Sequence, residues 1–309
     1  MHSCTIYGLS VASPMQFFGP SPISRVATDV IVRYDSVELQ LTESEIVVSG
    51  PNYRVTPQGI LFFWDNIGTF LVRDWHEIIV DPTPDVDELL LRKTILNDIF
   101  AALLYQRGLL VLHASAAAID GQAVLFLGKS QSGKSTLALA LHTHGNQLVA
   151  DDVAAITVEE RTSTIVPAYP EISVWPDTLT AFSLHAATLR PRARNTTKRM
   201  VPIGQRFANA KLPVTHVCVL DKGSGSAVEL LSPSEAMAAI LDKSYCYRLL
   251  TKEGIINHLS QCARLVATTE AIRVQTPHSL NDLPTLGALI EDTVKREHSL
   301  DSDAYAYAR

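Results

Sequence analysis

The sequence of 309 residues has few cysteines and no long apolar run. Its four cysteines (Cys4, Cys218, Cys246 and Cys262) show neither a Cys-x-x-Cys pair nor the Cys/His spacing of a zinc site, which predicts reduced thiols. No apolar run approaches the ~20 residues of a membrane-spanning helix. The N-terminus lacks the basic and apolar regions of a signal peptide. We therefore expect a cytoplasmic protein with no membrane partner.

The sequence also lacks an excess of positive charge. It contains 26 Lys and Arg against 32 Asp and Glu, a net charge of −6. This balance argues against a protein that wraps a nucleic acid over its whole surface, so we expect no nucleic-acid partner. Hydrophobic residues make up 47% and charged residues 19%, which excludes a wholly disordered chain. The length predicts two domains at ~150 residues each.

The pattern of residue types divides the chain into four segments. Residues 1–24 contain three prolines and two glycines without clear periodicity, which predicts an irregular segment. Residues 25–107 combine short β-branched and aromatic runs with a helix over 87–106, which predicts a small β-rich domain. Residues 108–296 alternate strand and helix patterns, including a helix over 177–187, and predict an α/β domain. The polar residues 297–309 predict a flexible tail.

A phosphate-binding motif is the strongest feature of the sequence. The run GKSQSGKS satisfies G-x-x-x-x-G-K-[ST], with a buried-type strand before it and a helical pattern after it. Backbone N–H groups of such a loop converge on a phosphate at a helix N-terminus. Lys134 is placed to reach the β- and γ-phosphates, and the Ser135 hydroxyl to bind Mg²⁺. The residues predicted to bind nucleotide are Gly128, Lys129, Ser130, Gln131, Ser132, Gly133, Lys134, Ser135 and Thr136.

Two consecutive aspartates follow the next strand pattern. Asp151 and Asp152 come directly after QLVA, where we expect the C-terminal end of a neighbouring parallel strand. If the strand has already ended, one carboxylate can face a metal and the other a substrate hydroxyl. The alternative is that the pair only ends the strand and caps a turn. His113, just before the predicted Asp120-Gly121 hairpin, is placed near the start of the phosphate loop, although a lone His is more often structural.

The stretch LHASAAAIDGQAVLFLGKSQSGKSTLALALHTHGNQLVADDVAAI resembles the catalytic domain of HPr kinase/phosphorylase, whose P-loop is related to that of phosphoenolpyruvate carboxykinase. The resemblance is specific over residues 109–156 and weaker to about residue 280. It implies an α/β P-loop kinase core preceded by the β-rich domain, with ATP and Mg²⁺ as cofactors. The β-rich domain and QRGLLVLHAS before the P-loop look more like the related kinases of lasso-peptide gene clusters, which phosphorylate a C-terminal serine of the precursor.

The resemblance also implies roles for individual residues. Lys134 would hold phosphate, Ser135 would bind Mg²⁺, and His113 would lie beside the transferred group. Asp152 would act as the general base, and Asp151 would support or face the metal. The Glu-Ile-Arg-Gly-like signature of the family is absent. The candidates for the second metal ligand are Glu171 and Asp177, and the alternative for each is a surface residue or a helix cap.

A basic run stands where the glycine-rich phosphorylase loop of the family is expected, so phosphorylase activity is not predicted. Basic runs are usually solvated, but near an ATP site one can clamp phosphate or an acidic peptide. The candidate clamp residues are Arg192, Arg194, Lys198 and Arg199, next to Arg190.

Three functions remain open at the level of sequence. The first is an ATP- and Mg²⁺-dependent kinase that phosphorylates a serine of a peptide or small protein. The second is a small-molecule kinase or carboxykinase-like enzyme, and the third is a nucleotide-binding regulatory module without catalysis. The motif by itself does not distinguish ATP from GTP or pyrophosphate, and the sequence leaves open a homo-oligomer.

Overall fold

The computed structural model describes residues 1–18, 27–38, 42–194, 196–223, 227–277 and 279–306, with side chains described as far as residue 295. The fold is a mixed α/β arrangement of two large sheets and a small two-stranded one. No helix in these ranges is both long enough and apolar enough to cross a membrane.

The first sheet is formed by the N-terminal part of the chain, in the order β1-β2-β3-β8-β7-β6-β5-β4. Its strands are β1 (His2–Ile6), β2 (Leu9–Ser13), β3 (Val30–Tyr34), β4 (Val48–Gly50), β5 (Tyr53–Thr56), β6 (Gly59–Trp64), β7 (Gly68–Arg73) and β8 (Glu77–Pro82). The prediction of an irregular segment over residues 1–24 is therefore wrong for residues 2–13. β1 and β2 form a hairpin around Tyr7 and Gly8, both with positive φ. Residues 19–24 lie outside the described residues.

The predicted helix over 87–106 is confirmed, with an unexpected interruption. It consists of α1 (Glu88–Thr94), a π-helical stretch (Ile95–Ile99) and α2 (Phe100–Gln106). The Asp87 side chain caps it by accepting a hydrogen bond from the N–H of Leu89. Gly108 follows with a φ of +82°, the left-handed conformation expected after a helix C-terminus. A π-helical turn often marks a functional region.

The second sheet contains the predicted phosphate loop. Its strands are β9 (Leu110–Leu112), β10 (Ser115–Ile119), β11 (Gln122–Gly128), β12 (Gln147–Ala150), β13 (Ala154–Val158), β14 (Ser163–Val166), β17 (Leu212–Lys222), β18 (Ala227–Leu230) and β19 (Glu270–Thr276), and the separate pair is β15 (Glu171–Val174) with β16 (Arg199–Pro202). The order is β12-β10-β11-β17-β14-β13-β9, and β19 joins β17 to β18. β17 runs parallel to both β11 and β19.

Helices and short 3-10 turns complete the fold. The helices are α3 (Lys134–Thr143), α4 (Pro176–Ala181), α5 (Pro233–Asp242), α6 (Lys252–Thr268) and α7 (Leu283–Ala306). The 3-10 turns are Glu43–Glu45, Ala186–Thr188, Tyr247–Leu249 and Leu280–Asp282. The predicted helix over 177–187 is too long, because Ser183 adopts a φ of +55° just after α4 ends. The predicted flexible tail is helical as far as Ala306, and residues 307–309 lie outside the described residues.

The two large sheets share one hydrophobic core. Along β11, Leu125 and Leu127 face this shared core, whereas Val124 and Phe126 face a second core beneath α3 and α7. Such alternation with both faces buried is typical of a central strand. Tyr7 also ties the sheets together, because its N–H donates to Ala168 O (2.9 Å) and its hydroxyl to Val153 O (3.3 Å). The domain boundaries at residues 24, 107 and 296 remain predictions.

Candidate active site

The phosphate loop has the strand–loop–helix context that its sequence predicts, since it joins β11 to α3. Two glycines make its course possible. A Cβ on Gly128, which has a φ of +152°, would lie 2.4 Å from Ser132 Oγ and 2.9 Å from Leu220 O. Gly133 precedes α3 with a φ of +99°. No other residue type fits both the space and the backbone at position 128, because side chains disfavour this conformation.

Two buried polar groups of the loop fit an anion. Lys134 Nζ donates to Gly128 O (3.0 Å) and Lys129 O (3.2 Å), and burial lowers the pKa of its ammonium. Ser132 Oγ is buried without a hydrogen-bond partner among the described residues. A buried polar atom of this kind costs free energy unless a ligand or water satisfies it. The cradle therefore suits phosphate oxygens.

The chain crosses the second sheet twice, once from β9 to β10 and once from β12 to β13, and the two crossings lie next to each other. Leu112 in β9 pairs with Ala154 in β13, whereas Ala116 in β10 pairs with Ala150 in β12. The residues between these strands must therefore lie together, and they are 113–114 and 151–153. The expectation that β12 neighbours β11 is wrong, because β10 lies between them and runs antiparallel to both. β11 and β12 still run in the same direction, so their C-terminal ends meet at one edge.

Asp151 is fixed by three hydrogen bonds in a buried position. Its Oδ1 accepts from Ser115 Oγ (2.7 Å) and Ser135 Oγ (2.8 Å), and its Oδ2 accepts from Ser173 N–H (2.9 Å). Burial and the adjacent charge of Asp152 raise the pKa of this carboxyl group. The contact with Ser135 joins the hydroxyl and the carboxylate that hold Mg²⁺ in P-loop enzymes.

The donor set around Asp151 fits Mg²⁺, which prefers oxygen ligands and retains several waters. Within the described residues, no group of three or more His, Cys, Asp or Glu side chains is arranged to hold a metal ion. Ser135 and Asp151 would thus supply the protein ligands, and phosphate oxygens and waters the remainder.

Asp152 has a different partner and a different charge state. Its backbone adopts a φ of +67°, so the strand has ended, and its Oδ2 lies 2.6 Å from Arg192 Nη2. Burial alone would raise the pKa of this carboxyl group, but the charges of Arg192 and Lys198 outweigh burial and lower it. Asp152 is therefore ionised at neutral pH, as a general base must be.

His113 lies against the same turn. Its Nδ1 is 2.9 Å from Asp152 O, and because a carbonyl oxygen only accepts, Nδ1 carries the proton and donates it. Burial and the charge of Lys134 lower the pKa of the imidazole. The ring is neutral at pH 7, with Nε2 left as an acceptor.

The loop, Ser135, His113 and Asp152 line a cleft of about 720 Å³, whereas Asp151 lies behind them and does not line it. The cleft is lined by the loop and the start of α3, by His113 and Asp152, and by side chains from α4, the basic run and the end of β19. Its lining residues include His113, Ser130, Gln131, Ser132, Gly133, Lys134, Ser135, Thr136, Asp152, Ser173, Trp175, Arg192, Lys198, Lys222, Thr276, Pro277, Leu280 and Leu283. Gly128 and Lys129 are not part of this lining and instead hold Lys134 through their carbonyl groups.

The structure divides the predicted basic clamp into two pairs. Arg192 and Lys198 line the cleft. Arg194 does not, since its side chain is 79% exposed and its Nε lies 3.6 Å from Asp87 Oδ1. Arg199 donates to the carbonyl groups of Thr197 and Lys198 and is also absent from the lining. Of the four predicted clamp residues, only Arg192 and Lys198 therefore line the cleft, and the clamp itself remains a prediction.

Glu171 is placed in an ion-pair cluster. Its Oε2 lies 2.9 Å from Arg92 Nη2, and its Oε1 lies 2.9 Å from Arg190 Nη2. Two guanidinium groups already neutralise this carboxylate, so the structure favours a structural role over the predicted metal ligation. Asp177, the alternative, lies exposed in the first turn of α4 and lines the cleft.

Several residues at the site carry no sequence motif. Lys93 and Asn97, from the helix that follows the first sheet, share a small cavity with Asp151, Asp152 and Arg192. Ser115, Ser173 and Trp175 contact or line the site, and the Tyr245 ring lies 6.3 Å from that of His113. Only their spatial neighbours identify them, because no spacing rule links these positions.

We expect the Ser135→Ala variant to need at least about 10-fold more Mg²⁺ for half-maximal nucleotide binding, since loss of even an outer partner weakens metal sites by that order. Calorimetric titration of ATP at a series of Mg²⁺ concentrations measures this. Thr143→Ala is the control, because its hydroxyl only contacts Ala140 O at the other end of α3. An unchanged Mg²⁺ dependence in Ser135→Ala would remove this residue from the metal site.

No protein-family model and no curated protein sequence matches the chain. Among solved structures, the chain is similar to the HPr(Ser) kinase/phosphatase from Coxiella burnetii, with 18% sequence identity and a TM-score of 0.35. That match covers 64% of this chain and 95% of the other. At this TM-score the similarity adds no weight to a functional assignment, which therefore depends on the geometry of the site.

Proposed function

We propose that this protein is a kinase that uses ATP and Mg²⁺ to phosphorylate a hydroxyl group. The observation that carries this proposal is the position of Asp152. Its ionised carboxylate lines the same cleft as the phosphate loop. Beside it stands the Ser135–Asp151 pair suited to Mg²⁺. Nucleotide binding alone requires neither Asp152 nor His113, so their presence favours catalysis.

The residues divide the work of phosphoryl transfer among them. The loop N–H groups and Lys134 hold the β- and γ-phosphates, and Mg²⁺ neutralises charge that develops on them. Asp152 accepts the proton of the attacking hydroxyl while the oxygen bonds to the γ-phosphorus and the bond to the leaving ADP breaks. His113 lies next to the transferred group. Its neutral ring leaves Nε2 as an acceptor, which can accept from the acceptor hydroxyl but not from the phosphoryl oxygens.

The donor in this proposal is a nucleoside triphosphate. Pro277, Leu280 and Leu283 give the cleft an apolar wall. This wall lies close to the loop, because Thr276 Oγ1 contacts Ser132 O at 3.4 Å. A nucleoside can cover such a wall, whereas pyrophosphate has no group that would. The apolar wall therefore supports ATP over pyrophosphate.

The acceptor in this proposal is a serine of a peptide or small protein. The particular candidate suggested by the sequence resemblance is the C-terminal serine of a lasso-peptide precursor. Residues of α4 and of the basic run line the cleft together with Asp152, and the cleft volume is about 720 Å³. These residues lie outside the phosphate loop, which supports an acceptor side chain next to Asp152.

Transfer of labelled phosphate from γ-labelled ATP to serine-containing peptides tests the proposal. We expect Mg²⁺-dependent labelling by the wild-type protein and a loss of at least about 100-fold in Lys134→Met, because Lys134 neutralises charge on the transferred group. Tight ATP binding without transfer to any acceptor would instead support the regulatory module. Labelling restricted to free small molecules would support the second alternative.

A further inference from the structure

The end of the cleft around Asp152 carries more positive charge than its acidic groups balance. Arg192 pairs with Asp152 at 2.6 Å. Lys198 has no carboxylate within ion-pair distance in the described ranges, and its Nζ lies 5.0 Å from the centre of the Trp175 ring. Lys93 likewise has no described ion pair and shares a small cavity with Asp152 and Arg192. Three cations therefore face Asp152, and the other carboxyl group of this cavity, Asp151, is held by hydrogen bonds from Ser115, Ser135 and Ser173 rather than by a cation.

The nearby acidic groups do not cancel this charge. Glu171 is already matched by Arg92 and Arg190. Burial raises the pKa of Asp98, whose Oδ1 accepts from the Tyr245 hydroxyl at 3.1 Å. Burial also lowers the pKa of Lys198, because desolvation disfavours its charged form. A partly buried cation without a carboxylate partner can bind an anion.

The basic loop, defined as residues 190–194 and 196–199, holds two of these cations side by side. Arg192 N–H donates to Lys198 O (3.1 Å), and Met200 N–H donates to Arg190 O (2.9 Å). Arg192 and Lys198 thus face each other across the basic loop, one on each of its two sides. The tip of the loop is attached to α1, because Arg194 N–H donates to Asp87 Oδ2 (3.2 Å). The same helix carries Lys93, so backbone contacts connect the segments that hold all three cations.

We propose that the acceptor carries an anionic group, a carboxylate or a phosphate, beside the hydroxyl that is phosphorylated. Lys198 and Lys93 bind this group, and Arg192 moves from Asp152 to the anion. The Asp152 carboxylate is then free to accept the hydroxyl proton, so that recognition of the acceptor and release of the base are one event. This inference rests on the proposed kinase function and adds the chemical class of the acceptor.

Paired peptides that differ by one negative charge test this proposal. The first pair is Ala-Ala-Ala-Ser with a free C-terminal carboxylate and the same peptide as its amide. The second pair, blocked at both ends, is Ala-Ser-Asp-Ala and Ala-Ser-Asn-Ala, and it separates a neighbouring acidic side chain from a chain terminus. Two quantities are measured for each peptide: kcat/KM for phosphorylation, and affinity by calorimetry in the presence of Mg²⁺ and a non-hydrolysable ATP analogue.

We expect the charged member of at least one pair to be favoured about 10-fold or more in both measurements, an effect of ~1.4 kcal/mol. In Lys198→Met this preference falls below about threefold through a higher KM, while ATP affinity is retained. Lys198→Arg keeps the charge and most of the preference. The control is Arg161→Met, which removes a cation from the exposed turn between β13 and β14 and leaves the preference intact.

The outcomes separate the two proposals. Phosphorylation with equal kcat/KM and equal affinity for both members of each pair would overturn the anionic acceptor and leave the kinase standing. A preference that persists in Lys198→Met would equally overturn it. Charge-dependent binding without transfer would support the anion site and count against the kinase. Equal affinity without transfer would reject both.

Discussion

Asp152→Asn is expected to bind ATP as the wild-type protein does and to lose about 10³-fold in kcat, within the range that a general base contributes. Asparagine has the same shape as aspartate but cannot accept the hydroxyl proton. It also tolerates the left-handed backbone at this position, where φ is +67°, so the turn is preserved. Single-turnover phosphoryl transfer measures the loss, and calorimetry checks ATP affinity.

Asp120→Asn is a closely matched control. Asp120 also has a positive φ, of +48°, but lies in the exposed β10–β11 hairpin at the opposite end of these strands. It should retain full turnover. A normal kcat in Asp152→Asn together with normal ATP binding would assign the base to another residue. It would leave Arg192 without a functional partner.

Glu171→Gln is expected to lower the free energy of unfolding by about 3 kcal/mol, since removal of one partner from a buried ion pair leaves uncompensated charge. Only 9% of the Arg92 side chain is exposed, and this guanidinium also donates to Phe17 O and lies over the Phe18 ring. Glutamine keeps the size of the side chain but leaves both Arg92 and Arg190 without a counter-charge. Denaturant unfolding followed by circular dichroism measures the change.

Glu229→Gln provides the comparison for a surface pair. Glu229 is 70% exposed beside Arg273, and an exposed pair contributes little, so we expect a change below about 1 kcal/mol. If Glu171 were a metal ligand, Glu171→Gln would weaken Mg²⁺ binding and leave the stability nearly unchanged. That result would restore the role that the sequence predicts for Glu171.

The sequence predicts the strand–loop–helix context of the phosphate-loop motif because all of its parts are close in sequence. A strand, a turn with glycines at fixed positions and a helix N-terminus follow one another within about twenty residues. The same locality places Asp151 and Asp152 correctly after β12, even though β10 separates that strand from β11. The direction of β11 and β12 predicts that their C-terminal ends lie at the same edge of the sheet. The order of the strands depends on pairings between distant segments.

The roles of Glu171 and Lys93 depend on contacts that no spacing rule encodes. Glu171 is a candidate metal ligand in the sequence, but in the structure it pairs with Arg92, which lies on a helix 79 positions earlier in the chain. Lys93 lies on that same helix and carries no motif of its own. The basic run predicts a clamp as a group, and only the fold of the loop separates Arg192, in the cleft, from Arg194, outside it.

The N-terminal hairpin shows the opposite limitation. The prolines and glycine between residues 14 and 22 dominate the composition of the first segment and conceal the alternation in residues 2–13. The turn signal was nevertheless present, because Gly8 supplies the left-handed conformation that a tight hairpin requires, with a φ of +69°.

The hydroxyl of Tyr7 connects the N-terminal sheet to the residue that follows Asp152, the proposed general base. Tyr7 is at the β1–β2 turn, and the carbonyl to which it donates belongs to Val153, one residue beyond Asp152. A change in the conformation of this hairpin would therefore act on the backbone next to Asp152. If Asp152 is the base, the β-rich part of the chain is connected to the proposed site through this hydrogen bond.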